Sequence, residues 1–352
     1  MFKNYLKIAI RNLLKYKKFS IINILGLAIG LTCFILIMLW VQDELSYDRF
    51  HKNADHIYMA LRNEFGKTSG VTSISLAPAL KDELPEVIEA TSFVPLPASF
   101  KSYLQYEDKG FEENIDLVDP QFFDIFSFNL KYGNPKSAFL NPNSIVLTER
   151  MSKKYFGNKN ALGESLNLTL VGQTSTLKVT GVLKNIPHNS HIQREIFIPI
   201  SYVINLIKPL GIEYWDHWVN RPARTYILTH SDVNISAVEH KIANCERKHL
   251  PNQRLESLSY SLLPLKKIHL HANNIEFFTP TGDIKYVYIF TIIAGIILLI
   301  ASMNYMNLSN ALSLKRTKEI GIQKVVGALR SDLIRQYFGE TLLLTFIALG
   351  CA

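Results

Sequence analysis

Two uncharged stretches constrain this chain more than anything else in it. Ile21–Val41 runs for 21 residues and Tyr286–Leu314 for 29, and neither holds an Asp, Glu, Lys or Arg. At about 1.5 Å per residue the shorter run is roughly 31 Å long as a helix, the depth of a bilayer's hydrocarbon core. Both are expected to cross a membrane. A cleaved signal sequence fits the first run poorly, because the run is too long and shows no small-x-small cleavage site.

The charges are distributed as two spans require. The 352 residues carry a net charge of +8. Residues 1–20 hold six Lys/Arg and no acid, residues 315–340 hold six against three, and residues 42–285 are nearly balanced at 26 basic and 27 acidic. The excess cations flank the apolar runs, so they orient helices rather than grip nucleic acid. The N-terminus and residues 315–336 are placed in the cytoplasm and residues 42–285 outside it. Of the three cysteines, only Cys245 falls in that outer region. No intramolecular disulfide can form there, and 244 residues suffice for a core of their own, expected as two subdomains.

Residues 1–20 open with an amphipathic pattern. Phe2, Tyr5, Leu6, Ala9, Ile10, Leu13 and Leu14 recur at helical spacing, apart from a stripe of Lys3, Lys7, Arg11, Lys15 and Lys18. Such a segment either lies along the inner membrane face or simply orients the helix of residues 21–41. Gly26 and Gly30 give that helix a GxxxG spacing, which allows close helix packing and also arises by chance. In residues 286–314, Asn304, Asn307 and Asn310 share roughly one face. Amides are costly against lipid, so these residues are expected to face a neighbouring helix or emerge into the cytoplasm.

Residues 42–285 read as mixed α and β. Ser75–Leu84 is expected as a helix ended by Pro85, and Ser144–Phe156 as a strand followed by a helix stopped at Gly157. Leu166–Leu170 and Leu177–Leu183 suggest a hairpin across Gly172-Gln173-Thr174-Ser175. Ile196–Ile200, Ala223–Thr229 and Tyr260–Leu263 are expected as strands, and Val233–His249 as a helix capped by Asn234 or Ser236. The expected fold class is α+β, with transmembrane helices flanking a large mixed extracytoplasmic domain.

Catalytic signals are missing. Gly66-Lys67-Thr68 has Leu61 where a phosphate-binding loop needs its first glycine. His188 with His191, and His269 with His271 on an alternating strand-like stretch, have the spacing of paired ligands. No nearby Cys or carboxylate completes either pair, and surface histidines are the plainer expectation. No cofactor, no metal and no enzymatic activity are expected of this chain.

After the second span comes Lys315–Glu340, in which Glu319-Ile320-Gly321-Ile322 and Val325-Val326-Gly327-Ala328 form two apolar ridges broken by glycine. Ser331 is expected to cap a helix heading back to the membrane, with Asp332 in its first turn. The physics allows a plain connection or a short helix that docks in a partner's groove. Residues 337–352 form a further apolar run, expected as an incomplete third membrane helix of a longer protein.

The run Arg316–Ala328 followed by Ile334, Gln336 and Glu340 resembles the hallmark of FtsX/MacB-type ABC transporter permeases. Tyr47-Asp48-Arg49-Phe50-His51, Leu84–Val87, Ser144–Thr148, Lys154–Gly157 and Thr180–Leu183 resemble that family's periplasmic core domain. Gln323 and Leu329 depart from the family's usual Arg and Ser. The resemblance implies a permease of the inner membrane that pairs with a second copy or a homologous permease and engages a cytoplasmic ABC ATPase, and that works with a periplasmic adaptor or cargo. It implies that Lys318, Glu319, Ile320, Gly321, Lys324, Gly327 and Ala328 contact the ATPase; the helix-packing assignment of Gly26, Gly30, Asn304 and Asn307 rests on their spacing and polarity instead. A membrane-anchored sensor with an extracytoplasmic ligand-binding domain is the alternative. It would place a coiled coil or signalling module after residue 314, where this chain instead turns back by residue 337.

Overall fold

The computed structural model describes residues 10–96, 100–210, 218–250, 255–278, 282–315, 321–322, 325–327 and 329–352. It contains two compact units, Met1–Leu45 with Ile284–Ala352, and Ser46–Asp283.

Residues 10–15 are helical, the helix breaks at Tyr16, and α1 (Lys17–Glu44) follows. Its burial is the inverse of a soluble helix. Ile21, Ile22, Leu25, Ile29, Leu36 and Leu39 are exposed, whereas Ser20, Asn23, Ala28 and Gly30 are buried. Large apolar groups outside and small or polar ones at the contact are what lipid as a solvent selects. The amphipathic segment expected at residues 1–20 lies partly outside the described residues.

Past Leu45 the chain builds one sheet. In order come β1 (Ile57–Glu64), β2 (Lys67–Ser69), α2 (Leu76–Glu83), β3 (Val87–Pro95), β4 (Ser102–Tyr106) and β5 (Lys109–Glu113). Then follow β6 (Asp116–Val118), α3 (Phe122–Ile125), β7 (Leu130–Gly133), β8 (Ser144–Thr148), α4 (Glu149–Phe156), β9 (Ser165–Leu170) and β10 (Gln173–Leu183). The last are β11 (Ile196–Pro199), α5 (Ile200–Ile207), β12 (Arg224–Thr229), α6 (Ile235–His249), β13 (Ser259–Pro264) and α7 (Leu265–His271).

The strand order is β13-β1-β12-β3-β6-β11-β8-β10-β9-β4-β5, with β2 added on β1 and β7 on β10. Among the described strand pairs, only β8–β10 and β6–β11 are parallel. The parallel pair β8–β10 needs a crossover, and α4 supplies part of it. Thr148 caps α4 by accepting from Met151 N, and β8 is buried at every position, as a strand covered on both faces must be. The sheet is continuous, and subdivision shows only in the core. One apolar cluster lies around β8, β9, β10 and α5, a second is rich in phenylalanine around α3, and a third lies between α2, α6 and the β1–β12–β13 end of the sheet.

Two local expectations are corrected. The hairpin turns two residues early, at Val171-Gly172 (φ 52° and 76°), so Gln173–Ser175 already belong to β10. Two positive φ values match the right-handed twist of the flanking strands, which is why glycine sits there. The His269–His271 stretch is the helix α7 rather than a strand. Leu265, Ile268 and His269 are buried at helical spacing, which overrides the short alternating pattern.

The chain leaves this unit through α8 (Ile284–Lys315) and ends in α9 (Arg330–Cys351). Among the described helices, α1 and α8 are long and apolar enough to cross a membrane. The helix α9 begins before Ser331, with Leu329 at its N-cap position, so Ser331 is not its cap.

Candidate functional site

Among the described residues no cluster of catalytic geometry stands out, so the candidate site is the set of elements through which the chain's parts are joined. In the membrane unit, α1 packs on α8 through small residues. A Cβ built on Gly30 would fall 2.5 Å from Ala301 Cβ, a distance real carbons do not adopt, whereas one on Gly26 would meet only the Asn304 side-chain amide at 3.1 Å. Asn304 therefore reaches α1 at Gly26, although Asn304 and Asn307 are both exposed. Trp40 and Phe290 meet edge to face with centroids 5.0 Å apart. Helix α9 also packs on α1, and Asn12 Nδ2 donates to Glu340 Oε2 at 3.5 Å. Substituting leucine at Gly30 should force α1 off α8, whereas Gly26→Ala should be tolerated by rotation of Asn304. Cysteine cross-linking between the two helices in native membranes measures this: Gly30→Leu is expected to abolish a cross-link that Gly26→Ala retains.

Of the residues expected to touch an ATPase, Lys318, Glu319, Ile320, Lys324 and Ala328 lie outside the described residues. Gly321 and Gly327 are described, the latter at φ 99°. Around them Ile322, Val325, Val326 and Leu329 are exposed, Val325 to 89%. Four large apolar side chains so close in sequence need a cover.

The unit Ser46–Asp283 begins with a buried clasp that sequence reasoning missed. Asp48, three residues beyond Leu45, is fully buried and left-handed at φ 57°. Its carboxylate accepts from Ser190 Oγ at 3.2 Å and His191 N at 3.1 Å, and lies 2.9 Å from His191 Nδ1. The Asp48 amide donates to Asn189 O, while the Asn189 side chain donates to Ser46 O and Oγ. His191 Nε2 is 2.9 Å from the Tyr226 hydroxyl, and His51 Nδ1 accepts from Ser127 N at 3.0 Å. Next to these, Tyr47 stacks on His269 at 3.4 Å.

His191 and His269 are thus buried rather than surface groups. Burial pushes Asp48 up, but the charge and hydrogen bonds of His191, with His51 behind them, outweigh it and hold Asp48 below the usual carboxylate value. Burial pushes His51 down to about 4, only partly offset by Asp48. The only sequence signals were the Asp48-x-x-His51 spacing and His191, which are some 140 residues apart in the chain.

A second buried charge cluster ties β1 to α6. Glu246, 2% exposed, accepts from Arg62 Nε at 3.1 Å, Arg221 Nη2 at 3.2 Å and the Tyr260 hydroxyl at 2.5 Å. Arg62 Nη1 also donates to Glu64 Oε2 at 2.5 Å. Beside the two arginines opens a pocket of about 420 Å³, lined also by Lys67 and Glu276 and by Phe65 and Phe277. A third buried group, Asp116, is pushed up to about 7 by burial, with Arg194 and Arg224 opposing. None of these arrangements has a nucleophile and base aimed at a common point; they are structural joints.

Two long apolar helices flank one mixed α/β domain in the sequence, with a basic connection after the second, which is the layout of a membrane protein with a large domain between two spans. Family comparison agrees. Residues 20–244 match the MacB-like periplasmic core domain and residues 291–352 the FtsX-like permease C-terminal domain. The chain belongs to the MacB/FtsX type of ABC transporter permease. It is 24% identical over 359 residues to the uncharacterized ABC transporter permease YvrN of Bacillus subtilis, covering 97% of this chain and 83% of that one. It is 24% identical over 247 residues to the macrolide export ATP-binding/permease protein MacB of Aggregatibacter actinomycetemcomitans, covering 66% of this chain and 33% of that one. The fold resembles a crystallised domain of a permease protein from Porphyromonas gingivalis, with TM-score 0.52, 24% identity, and coverage of 65% of this chain and 95% of that one.

Proposed function

We propose that this chain is the membrane subunit through which a separate cytoplasmic ATPase moves an extracytoplasmic domain, in the inner membrane of a bacterium, to export a peptide, drug or lipoprotein. The N-terminus and residues 315–336 face the cytoplasm, and the unit works as a dimer with a second copy or a homologous permease. The observation that carries the reading is the exposed apolar group Ile322, Val325, Val326 and Leu329 on the connection between α8 and α9. Exposed apolar side chains that follow the charged Arg316, Lys318 and Glu319 in the sequence suit a groove on a soluble partner better than lipid. Both α1 and α8 are continuous in sequence with residues 46–283, so movement of the helices reaches that domain through the chain itself. The cargo class follows from the family resemblance and from nothing in the pocket.

Tagged full-length permease purified from its native membranes provides the test. Glu319→Lys with Gly321→Leu is expected to cut co-purifying ATPase activity by about tenfold, a loss of roughly 1.4 kcal/mol in association. Undiminished activity would remove this segment from the interface.

A further inference from the structure

On the face of α6 that packs toward α2, three different metal-ligating groups converge. Cys245 and His249 are four residues apart on α6 and so share one face, and Glu83 is the last residue of α2. Their donor atoms all lie within 4.8 Å of one another. His249 Nε2 sits 2.8 Å from Glu83 Oε1, and Lys248 Nζ 3.1 Å from Glu83 Oε2. The His249 ring is held flat against Trp218, with centroids 4.4 Å apart and planes 6° from parallel. Cys245 is buried, while Glu83 and His249 reach the surface.

We propose that Glu83, Cys245 and His249 bind a thiophilic divalent cation, zinc by its donor set, that pins the end of α2 to the last turn of α6. One sulfur, one imidazole nitrogen and one carboxylate oxygen form a mixed set that zinc accepts and that calcium and magnesium, which prefer oxygen alone, do not. Donors in a closed tetrahedral zinc site stand about 3.5 Å apart, so small side-chain rotations complete the geometry. Water supplies the fourth ligand, since Glu83 and His249 reach the surface. Burial, with Glu83 nearby, raises the Cys245 thiol to about 11, so the free site keeps its proton. On binding, the metal takes the thiolate and the thiol proton leaves for solvent, the ring proton that His249 Nε2 shares with Glu83 leaves that nitrogen so that the imidazole coordinates in its neutral form, and the Lys248 ammonium gives up Glu83.

Cobalt(II) is the probe, added to the 352-residue chain in detergent with Cys33 and Cys351 replaced by serine, which leaves Cys245 as the sole thiol of these residues. A thiolate-to-cobalt charge-transfer band, with the visible bands of four-coordinate cobalt, is expected. Cys245→Ser should erase the charge-transfer band and weaken binding by more than about tenfold, and His249→Gln should weaken binding similarly. Lys248→Ala should tighten binding, because Glu83 loses its competing cation. Zinc should displace the cobalt and raise the melting temperature of the parent but not of Cys245→Ser. A parent without the charge-transfer band, or a spectrum indifferent to Cys245→Ser, overturns the site. Cobalt absorption is independent of any ATPase or cargo.

Discussion

Replacing Glu246 with alanine is expected to cost the extracytoplasmic domain about 3–5 kcal/mol, among the largest single losses available to it. The reason is what remains. Arg62, 6% exposed, keeps its charge, and Glu64 takes only its Nη1. Arg221 loses its Glu246 ion pair, and the Tyr260 hydroxyl, which burial and Glu246 together hold protonated well above its ordinary range, loses its acceptor. A half-satisfied buried network is worse than an apolar core, because the surviving charge has no water to turn to.

The midpoint of urea unfolding, followed by tryptophan fluorescence in a chain with Trp40 and Trp215 replaced by phenylalanine, measures the loss; Trp218, the tryptophan that remains, stacks on His249 one turn beyond Glu246. Glu246→Gln should fall between wild type and alanine, since the amide still accepts one bond. The double replacement Arg62→Met with Glu246→Leu should recover much of the loss, because an apolar pair of similar volume needs no partner. A cost for Glu246→Ala below about 1 kcal/mol, the worth of an exposed ion pair, would mean that water reaches the cluster.

That cluster also marks the limit of what the sequence discloses. Segments whose ends are written in local chemistry were legible. Thr148 caps α4 and Asn234 caps α6 by accepting from Ala237 N, both within three residues. The membrane helices were legible for a different reason, since a bilayer imposes length and apolarity on a contiguous run. Sites assembled across the chain were not. Arg62 and Glu246 are 184 residues apart, and a lone Arg in a strand or Glu in a helix ordinarily reads as a solvated face. His269 misled because a short Ile-His-Leu-His alternation carries strand periodicity, while its place is decided by Leu265 and Ile268 entering the phenylalanine-rich core. The sequence spacing of Gly26 and Gly30 suggested packing, yet only geometry separates them: Gly30 meets a Cβ and Gly26 a rotatable amide.

Asp48→Ala is the second large effect, expected to cost about 3 kcal/mol or more, from lost hydrogen bonds to a charged group and from placing alanine in a left-handed backbone. Asn at this position tolerates φ 57° and keeps one acceptor oxygen, so Asp48→Asn should cost roughly half as much. The clasp also predicts a pH response. His51 Nδ1 accepts the Ser127 amide proton, so protonation of that nitrogen would set donor against donor. Its folded value of about 4 lies below the ordinary 6.5, so between these limits the unfolded chain takes up a proton that the folded one refuses. Stability from this group is complete above about pH 6.5 and is lost as the pH falls toward 4, by up to about 3 kcal/mol. Asp116, raised to about 7, works in the opposite sense, since the folded chain holds its proton where the unfolded chain has released it. The two slopes partly offset in the wild type, so the informative quantity is the difference between wild type and His51→Gln, whose amide oxygen can still accept from Ser127. That difference should grow as the pH is lowered from 6.5 to 4, with the variant becoming relatively more stable. A difference that stays constant with pH would show that His51 titrates alike in both states and that the clasp is open to water.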